Sequence, residues 1–421
     1  MQLPSLRRPP ERSVPFPEAF LRGKVCFHSG RASLEATWRW FKSQGRQSVN
    51  ILSTYINKRI DRFHCLFYTC LQGNNLKRQV LRIGKEVFMM DSACKEIIRL
   101  ADKVMDGGEI TEEEAKKLIR TKDEDTMLLL AMADKIRQKF NGNAVDFCAI
   151  INARSGHCQE NCKFCAQSGW YHTGAKVYRL LPEDEILAAA RKAKEAGAVR
   201  FSLVTSGRNQ DNPNEFEEII DIVKKIREQV GVEVCCSLGL ITKEQALRLK
   251  EAGITRIHCN IETAPSYFPE VCSTHTMGDK EEIIRTAQEA GIRVCSGGII
   301  GLGESLDQRV EMAFKLKSMH IDSIPMNILN PVKGTPFYTN KRLPPLEVLR
   351  TFAMFRFVLP KALIRTAGGR EVNLRSLQAY ALTGGLNGIM VGGYLTTGGR
   401  DPKEDIRMTE DLGRSMTQPQ L

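Results

Sequence analysis

From about residue 145 onward, short apolar runs alternate with amphipathic stretches at intervals of roughly 25 to 35 residues. The apolar runs predict strands at 147–151, 199–205, 232–237, 256–261, 293–299, 323–329, 363–367 and 388–391. Patterns of helical period fill the intervals, for example 183–196, 216–229, 243–252 and 280–290. Three of them end in Ala-Gly just before the next strand, at Gly197, Gly253 and Gly291, where glycine can take the left-handed conformation that closes a helix. Strand–helix units repeated in this order imply a parallel sheet, because right-handed crossovers bury both of its faces. Eight units predict an α/β fold, a closed (β/α)8 TIM-type barrel over 144–398. Its chemistry is expected at the C-terminal ends of the strands. Ahead of the barrel, 89–143 reads as a short N-terminal helical extension, with Thr111 and Glu114 spaced as a capping box. Residues 399–421 read as a C-terminal tail.

Residues 1–88 follow no such pattern. They mix Pro, Arg and Ser with scattered aromatics, including Trp38, Trp40, Phe63 and Phe67. Of the net charge of +12, sixteen Lys and Arg against five Asp and Glu place +11 in this segment, leaving +1 for the remainder. Nucleic-acid affinity would therefore reside in 1–88 or nowhere, and the body is not expected to bind nucleic acid. The abrupt change of text predicts that the natural chain starts near Met89 or Met90 and that 1–88 is an upstream misreading. A basic arm and an organelle-targeting peptide are the alternatives. No apolar run approaches the roughly 20 residues that span a bilayer, and the N-terminus has no apolar secretory core. Thirteen cysteines in 421 residues are too sparse for a disulfide framework, so a cytoplasmic setting with reduced thiols is expected.

Chemistry enters just after the first predicted strand. Cys158, Cys162 and Cys165 lie in Ser-Gly-His-Cys-Gln-Glu-Asn-Cys-Lys-Phe-Cys-Ala, a C-x3-C-x2-C spacing. Three thiols can wrap three corners of a cubane iron–sulfur cluster and leave the fourth iron open, where closed clusters use four. A structural zinc site is the bland alternative, but it calls for a second paired motif that the chain lacks. Further polar and thiol residues recur near later strand ends: Ser202, Cys235 and Cys236, Cys259 to Thr263, Cys295 to Glu304, Asn327, and Arg365 to Glu371. Cys148 alternates with apolar neighbours and reads as a small buried hydrophobe. Cys236 should face away from Cys235 and into the core. Cys94 and Cys272 read as incidental.

The cysteine spacing resembles the radical S-adenosylmethionine (SAM) signature. More specifically, 147–411 resembles the biotin synthase family. The resemblance rests on Cys-Lys-Phe-Cys-Ala-Gln-Ser, Ser-Leu-Gly, Cys-Ser-Gly-Gly-Ile-Ile-Gly-Leu-Gly-Glu, Asn-Pro-Val-Lys-Gly-Thr-Pro and Ala-Gly-Gly-Arg-Glu, in the family's order. It implies sulfur insertion into dethiobiotin, using one SAM per carbon–sulfur bond. Cys158, Cys162 and Cys165 would hold the 4Fe–4S cluster that cleaves SAM to a 5′-deoxyadenosyl radical. Phe164 would lie against adenine, and Glu262 would accept from the ribose hydroxyls. Gly297, Gly298, Ile299 and Gly301 would let backbone approach SAM. Asn260 and Asn327 would hold the ureido ring, with turn formation as the plain alternative.

The family's second cluster, a 2Fe–2S sulfur donor, is held by three Cys and one Arg. Cys235, Cys295 and Arg365 match three of these positions. The fourth is Ser202 here, a poor iron ligand, and Cys259 is expected to compensate, with an altered cluster as one outcome. The resemblance also implies an electron donor such as flavodoxin or ferredoxin, and a homodimer. Two rivals stand beside this reading. One is a related radical SAM enzyme, such as a hydrogenase-cofactor maturase or pyrrolysine-pathway mutase. The other is a nucleic-acid-binding protein using 1–88.

Overall fold

The computed structural model describes residues 92–416. The expectations about a start near Met89 or Met90, a basic arm or a targeting peptide lie outside the described residues. Three helices come first: α1 (Ser92–Met105), α2 (Glu112–Ile119) and α3 (Thr126–Asn141). Helix α1 turns Ile97, Leu100, Ala101 and Val104 inward, one face at helical spacing. Helix α2 starts at the predicted capping box. Thr111 Oγ1 accepts from the Glu114 N–H at 3.2 Å, and the Glu114 carboxylate accepts from the Thr111 N–H at 2.9 Å.

The barrel strands are β1 (Asp146–Arg154), β2 (Arg200–Thr205), β3 (Glu233–Ser237), β4 (Arg256–His258), β5 (Arg293–Cys295), β6 (Gly298–Ile300), β7 (Ser323–Ile328), β8 (Leu363–Thr366) and β9 (Gly388–Met390). They pair in the order β5-β4-β3-β2-β1-β9-β8-β7-β6, always parallel, and the Cys295–Ser323 pairing of β5 with β7 closes the ring. The strand expected at 293–299 is thus two segments that together make the barrel's fifth stave, giving eight staves. Pro325 lies opposite the interruption and has no N–H to donate, so the ladder lapses there. The chains press so close that a Cβ on Gly297 would stand 2.0 Å from the Pro325 carbonyl oxygen. Helices α4 (Glu183–Glu195), α5 (Pro213–Lys225), α6 (Lys243–Ala252), α7 (Met277–Glu289), α8 (Leu306–Ser318) and α9 (Pro345–Val358) surround the staves.

Helix α9 is apolar on every side and buries every residue from Val348 to Val358 except Arg350. Its outer face is covered by α2 and α3 as well as by α8, which is the structural work of the N-terminal extension. Arg356 sits inside this contact and donates to the carbonyls of Gly385 (2.6 Å), Ala362 (2.8 Å), Pro360 (3.0 Å) and Leu359 (3.3 Å), and to Asn387 Oδ1 (2.8 Å). The segment read as a tail folds back as well. Asp405, on a helix from Pro402 to Asp411, is buried and lies 2.6 Å from Arg370, and Ser415 bridges to Ala144. No helix among the described residues is long and apolar enough to cross a membrane.

Candidate active site

A cavity of about 400 Å³ opens at the C-terminal ends of the staves. At its mouth, the loop after β1 carries Cys158, Cys162 and Cys165, all free thiols and half-buried. The loop enters through two left-handed residues, Gly156 and His157, the second a conformation that L side chains rarely adopt. Its carbonyls are tied from outside. Ser168 Oγ donates to Glu160 O (2.6 Å), Tyr171 OH to Asn161 O (2.7 Å) and Trp170 Nε1 to Gln159 O (2.9 Å). With the polar backbone satisfied on that side, the three thiols line the cavity.

One neighbour was not legible from sequence. Cys272, expected to be incidental, has its Sγ 3.7 Å from Cys162 Sγ and 3.2 Å from His275 Nδ1, which lies 2.7 Å from Glu160. The hydrogen bond from Cys162, with others from His275 and Thr274, pulls the Cys272 thiol down to about 3 and pushes Cys162 up. A Cys-x2-His spacing at 272–275 was the available signal, and alone it is too common to single out.

Beside the loop, Phe164 packs against Val271, Ile299, Leu302 and Leu329. Glu262 adopts a left-handed φ of +65°. Burial raises its pKa, against the opposing charge of Lys280 on α7. A Cβ on Gly298 would stand 2.7 Å from the Glu262 carbonyl oxygen, so only glycine admits this approach. Gly301 N–H donates to Glu304 at 2.8 Å, and Arg309 holds that carboxylate at 2.7 Å. Asn260 Oδ1 accepts from Gly297 N–H, and Asn327 Oδ1 from Gly368 N–H, both at 3.0 Å. Both asparagines therefore organise backbone while lining the cavity.

Deeper in the cavity, Cys235, Cys295 and Arg365 come together. Ser323 Oγ lies 3.3 Å from both Cys295 Sγ and Arg365 Nη2, and Arg365 reaches Asp146 at 3.1 Å. Burial pushes Cys295 up, but a hydrogen bond to His258 and the Arg365 charge outweigh it, and its pKa falls to about 6. Burial pushes Cys235 up to about 12. Cys236 faces the other way into the apolar core, and Ser202 lines the cavity opposite Cys235. Cys259 borders the cavity from the apolar core, where the charges acting on it are those of Lys280 and Glu262.

These residues fit iron–sulfur clusters. Thiolates are the ligands such clusters take, and all the thiols concerned are free. Arg365 Nε and Arg256 Nη2 are buried with no hydrogen-bond partner among the described residues. Such donors call for an anionic occupant.

Comparison with known proteins agrees. A family model for the radical SAM superfamily matches residues 153–316, and one for the biotin and thiamin synthesis associated domain matches 325–415. The chain is 52% identical over 317 residues to the biotin synthase of Pelotomaculum thermopropionicum and 48% identical over 318 residues to that of Carboxydothermus hydrogenoformans. Each match covers 75% of this chain and 98% of the relative. Among solved structures, methylornithine synthase superposes with a TM-score of 0.67 at 21% identity, over 76% of this chain and 97% of that one. The hydrogenase maturase HydG from Carboxydothermus hydrogenoformans gives 0.64 at 19% identity, over 81% and 83%. At such identities these two share the fold alone. With relatives half identical and matched almost end to end, the chain belongs to the biotin synthase family of radical SAM enzymes.

Proposed function

We propose that the cavity mouth holds a 4Fe–4S cluster on Cys158, Cys162 and Cys165 with SAM beside it, and that dethiobiotin lies beneath, above an auxiliary cluster on Cys235, Cys295 and Arg365. The activity is that of the family, radical SAM-dependent insertion of sulfur into dethiobiotin to give biotin. When bound, SAM and the clusters supply a carbon radical able to take hydrogen from unactivated C–H bonds, and the sulfur that replaces it.

The chain's own residues bind, orient and exclude water. Phe164 offers an apolar face to adenine, and Glu262 offers a carboxylate to the ribose hydroxyls. Gly297, Gly298, Ile299 and Gly301 would offer main chain to the cofactor, along a turn packed so tightly that a Cβ on Gly297 or Gly298 would collide with neighbouring protein atoms. The Oδ1 atoms of Asn260 and Asn327 are spent on backbone N–H groups, and their Nδ2 groups donate at 3.4 Å to Glu262 and to the Gly298 carbonyl, so each amide keeps one N–H for the carbonyl of a cyclic urea. The enclosing staves shield reactive carbon from solvent. Residues 89–143 would brace the barrel at 144–398. A flavodoxin or ferredoxin would deliver electrons, in the cytoplasm and to a homodimer.

One observation carries this reading: three half-buried thiols and a deeper thiol–guanidinium group line one cavity. The test is anaerobic reconstitution of the full chain with iron and sulfide, then SAM, reductant and dethiobiotin, with mass detection of products. Biotin and 5′-deoxyadenosine are expected, and Cys158→Ala should abolish both. Deoxyadenosine without biotin would move the substrate to another radical SAM reaction.

A further inference from the structure

The interior of a (β/α)8 barrel is filled in layers, each built by side chains from alternate staves. The strand register shows which residues share a layer, because stepping two staves around the ring advances the chain by two residues. Cys148 pairs with Arg200, and Arg200 with Glu233, so Cys235 two residues on is level with Cys148. Cys235 pairs with Arg256, and Arg256 with Arg293, which brings Cys295 to the same level. Cys295 pairs with Ser323, and Ser323 with Leu363, which brings Arg365 there. Arg365 pairs with Gly388, and Gly388 with Asp146, and two residues further is Cys148 again. The ring closes on itself.

One complete layer therefore consists of Cys148, Cys235, Cys295 and Arg365, from the first, third, fifth and seventh staves. All four line the cavity and all four are buried. Ser202 belongs to the neighbouring layer, with His258, Pro325 and Met390. Cys259 belongs to neither. His258 takes the inward position on the fourth stave, and the next residue turns to the other side, into the apolar core. Gly388, between the staves of Arg365 and Cys148, has no side chain to separate them, and a Cβ there would stand 2.9 Å from Arg365 Cβ. The layer beneath brings in the buried guanidinium groups of Arg200 and Arg256, whose charge suits an anionic occupant.

We propose that Cys148 is the third thiol ligand of the auxiliary cluster, completing a level ring with Cys235, Cys295 and Arg365 in place of Ser202 or Cys259. This rests on the auxiliary-cluster reading above. Each thiol gives up its proton as it binds iron. The serine on the second stave is then no defect, because the ring takes its third sulfur from the first stave.

The test uses the full chain with Cys158, Cys162 and Cys165 all replaced by alanine, so that only the interior site can load. It is reconstituted anaerobically with ferrous iron and sulfide, and iron and sulfide per chain are measured with Mössbauer spectra. Cys148→Ser in this background should lose iron and sulfide by at least about tenfold, while Cys259→Ala should retain the parent's content and spectrum. Cys148→Ala, with melting of the iron-free proteins compared, separates ligand loss from misfolding. Parent-level loading in both Cys148 variants would overturn the assignment. So would loss in Cys259→Ala with Cys148 variants unaffected, which would move the ligand to the fourth stave. A background protein that binds no iron or sulfide would instead sink the auxiliary-cluster reading itself, and this assignment with it.

Discussion

Two arginines nine positions apart divide the molecule into its two kinds of interior. Arg356, 0% exposed, lies where the N-terminal helices cover α9, and five protein acceptors surround its guanidinium. Arg365, 2% exposed, lies inside the barrel, and its Nε has no hydrogen-bond partner among the described residues. Burial costs both charges their hydration. The first recovers it from main-chain carbonyls and Asn387 Oδ1, so that every nitrogen of its guanidinium has a protein acceptor. The second keeps a donor in reserve, in a layer that otherwise holds three thiols. Unsatisfied donors beside free thiols separate a site from a core where burial alone does not.

The contrast breaks most readily at Arg356. Arg356→Met strands four carbonyls and the Asn387 side chain, and should cost at least about 3 kcal/mol in denaturant unfolding of the iron-free protein. A loss under about 1 kcal/mol would mean these bonds carry no more weight than surface contacts. Arg365→Met should be milder, within about 1 kcal/mol, because Asp146 keeps its ion pair with Arg200. Its effect should appear as lower iron and sulfide loading of the interior site. Equal destabilisation by the two substitutions would remove the distinction.

The smallest effect belongs to the helical extension. Burial raises the Glu114 pKa, but bonds from Lys103, the Thr111 N–H and Arg99 outweigh it and hold the carboxyl at about 2, below its ordinary 4.5. A depressed acid adds stability that is fully present above its unfolded pKa and lost as pH falls through the folded one. The gap in unfolding midpoint between the natural protein and Glu114→Gln should therefore close between pH 4.5 and about 2. It should be worth less than about 1 kcal/mol, as the partners are largely exposed. A gap that stays constant over that range would show that the cap works without its charge.

Local pattern made much of this legible. The alternation of apolar runs and amphipathic helices predicted the barrel, because each strand–helix unit must bury its own faces. The C-x3-C-x2-C loop was readable because its cysteines fall within eight residues, where spacing is geometry. The break in the fifth stave was not, since its cause, Pro325, is on a neighbouring strand.

The eight-unit barrel, the cysteine loop and the family motifs are all encoded over short stretches of chain. Which residues share a level inside the barrel emerges only when the ring has closed. Cys259 drew attention from sequence as the fourth-strand thiol that could compensate for Ser202, while Cys148 looked like filler among apolar neighbours. A strand turns its side chains over with every residue, and the closed ring staggers one stave against the next. Membership of a layer is therefore fixed by hydrogen-bond register summed around all eight staves, a quantity that no local stretch of sequence contains.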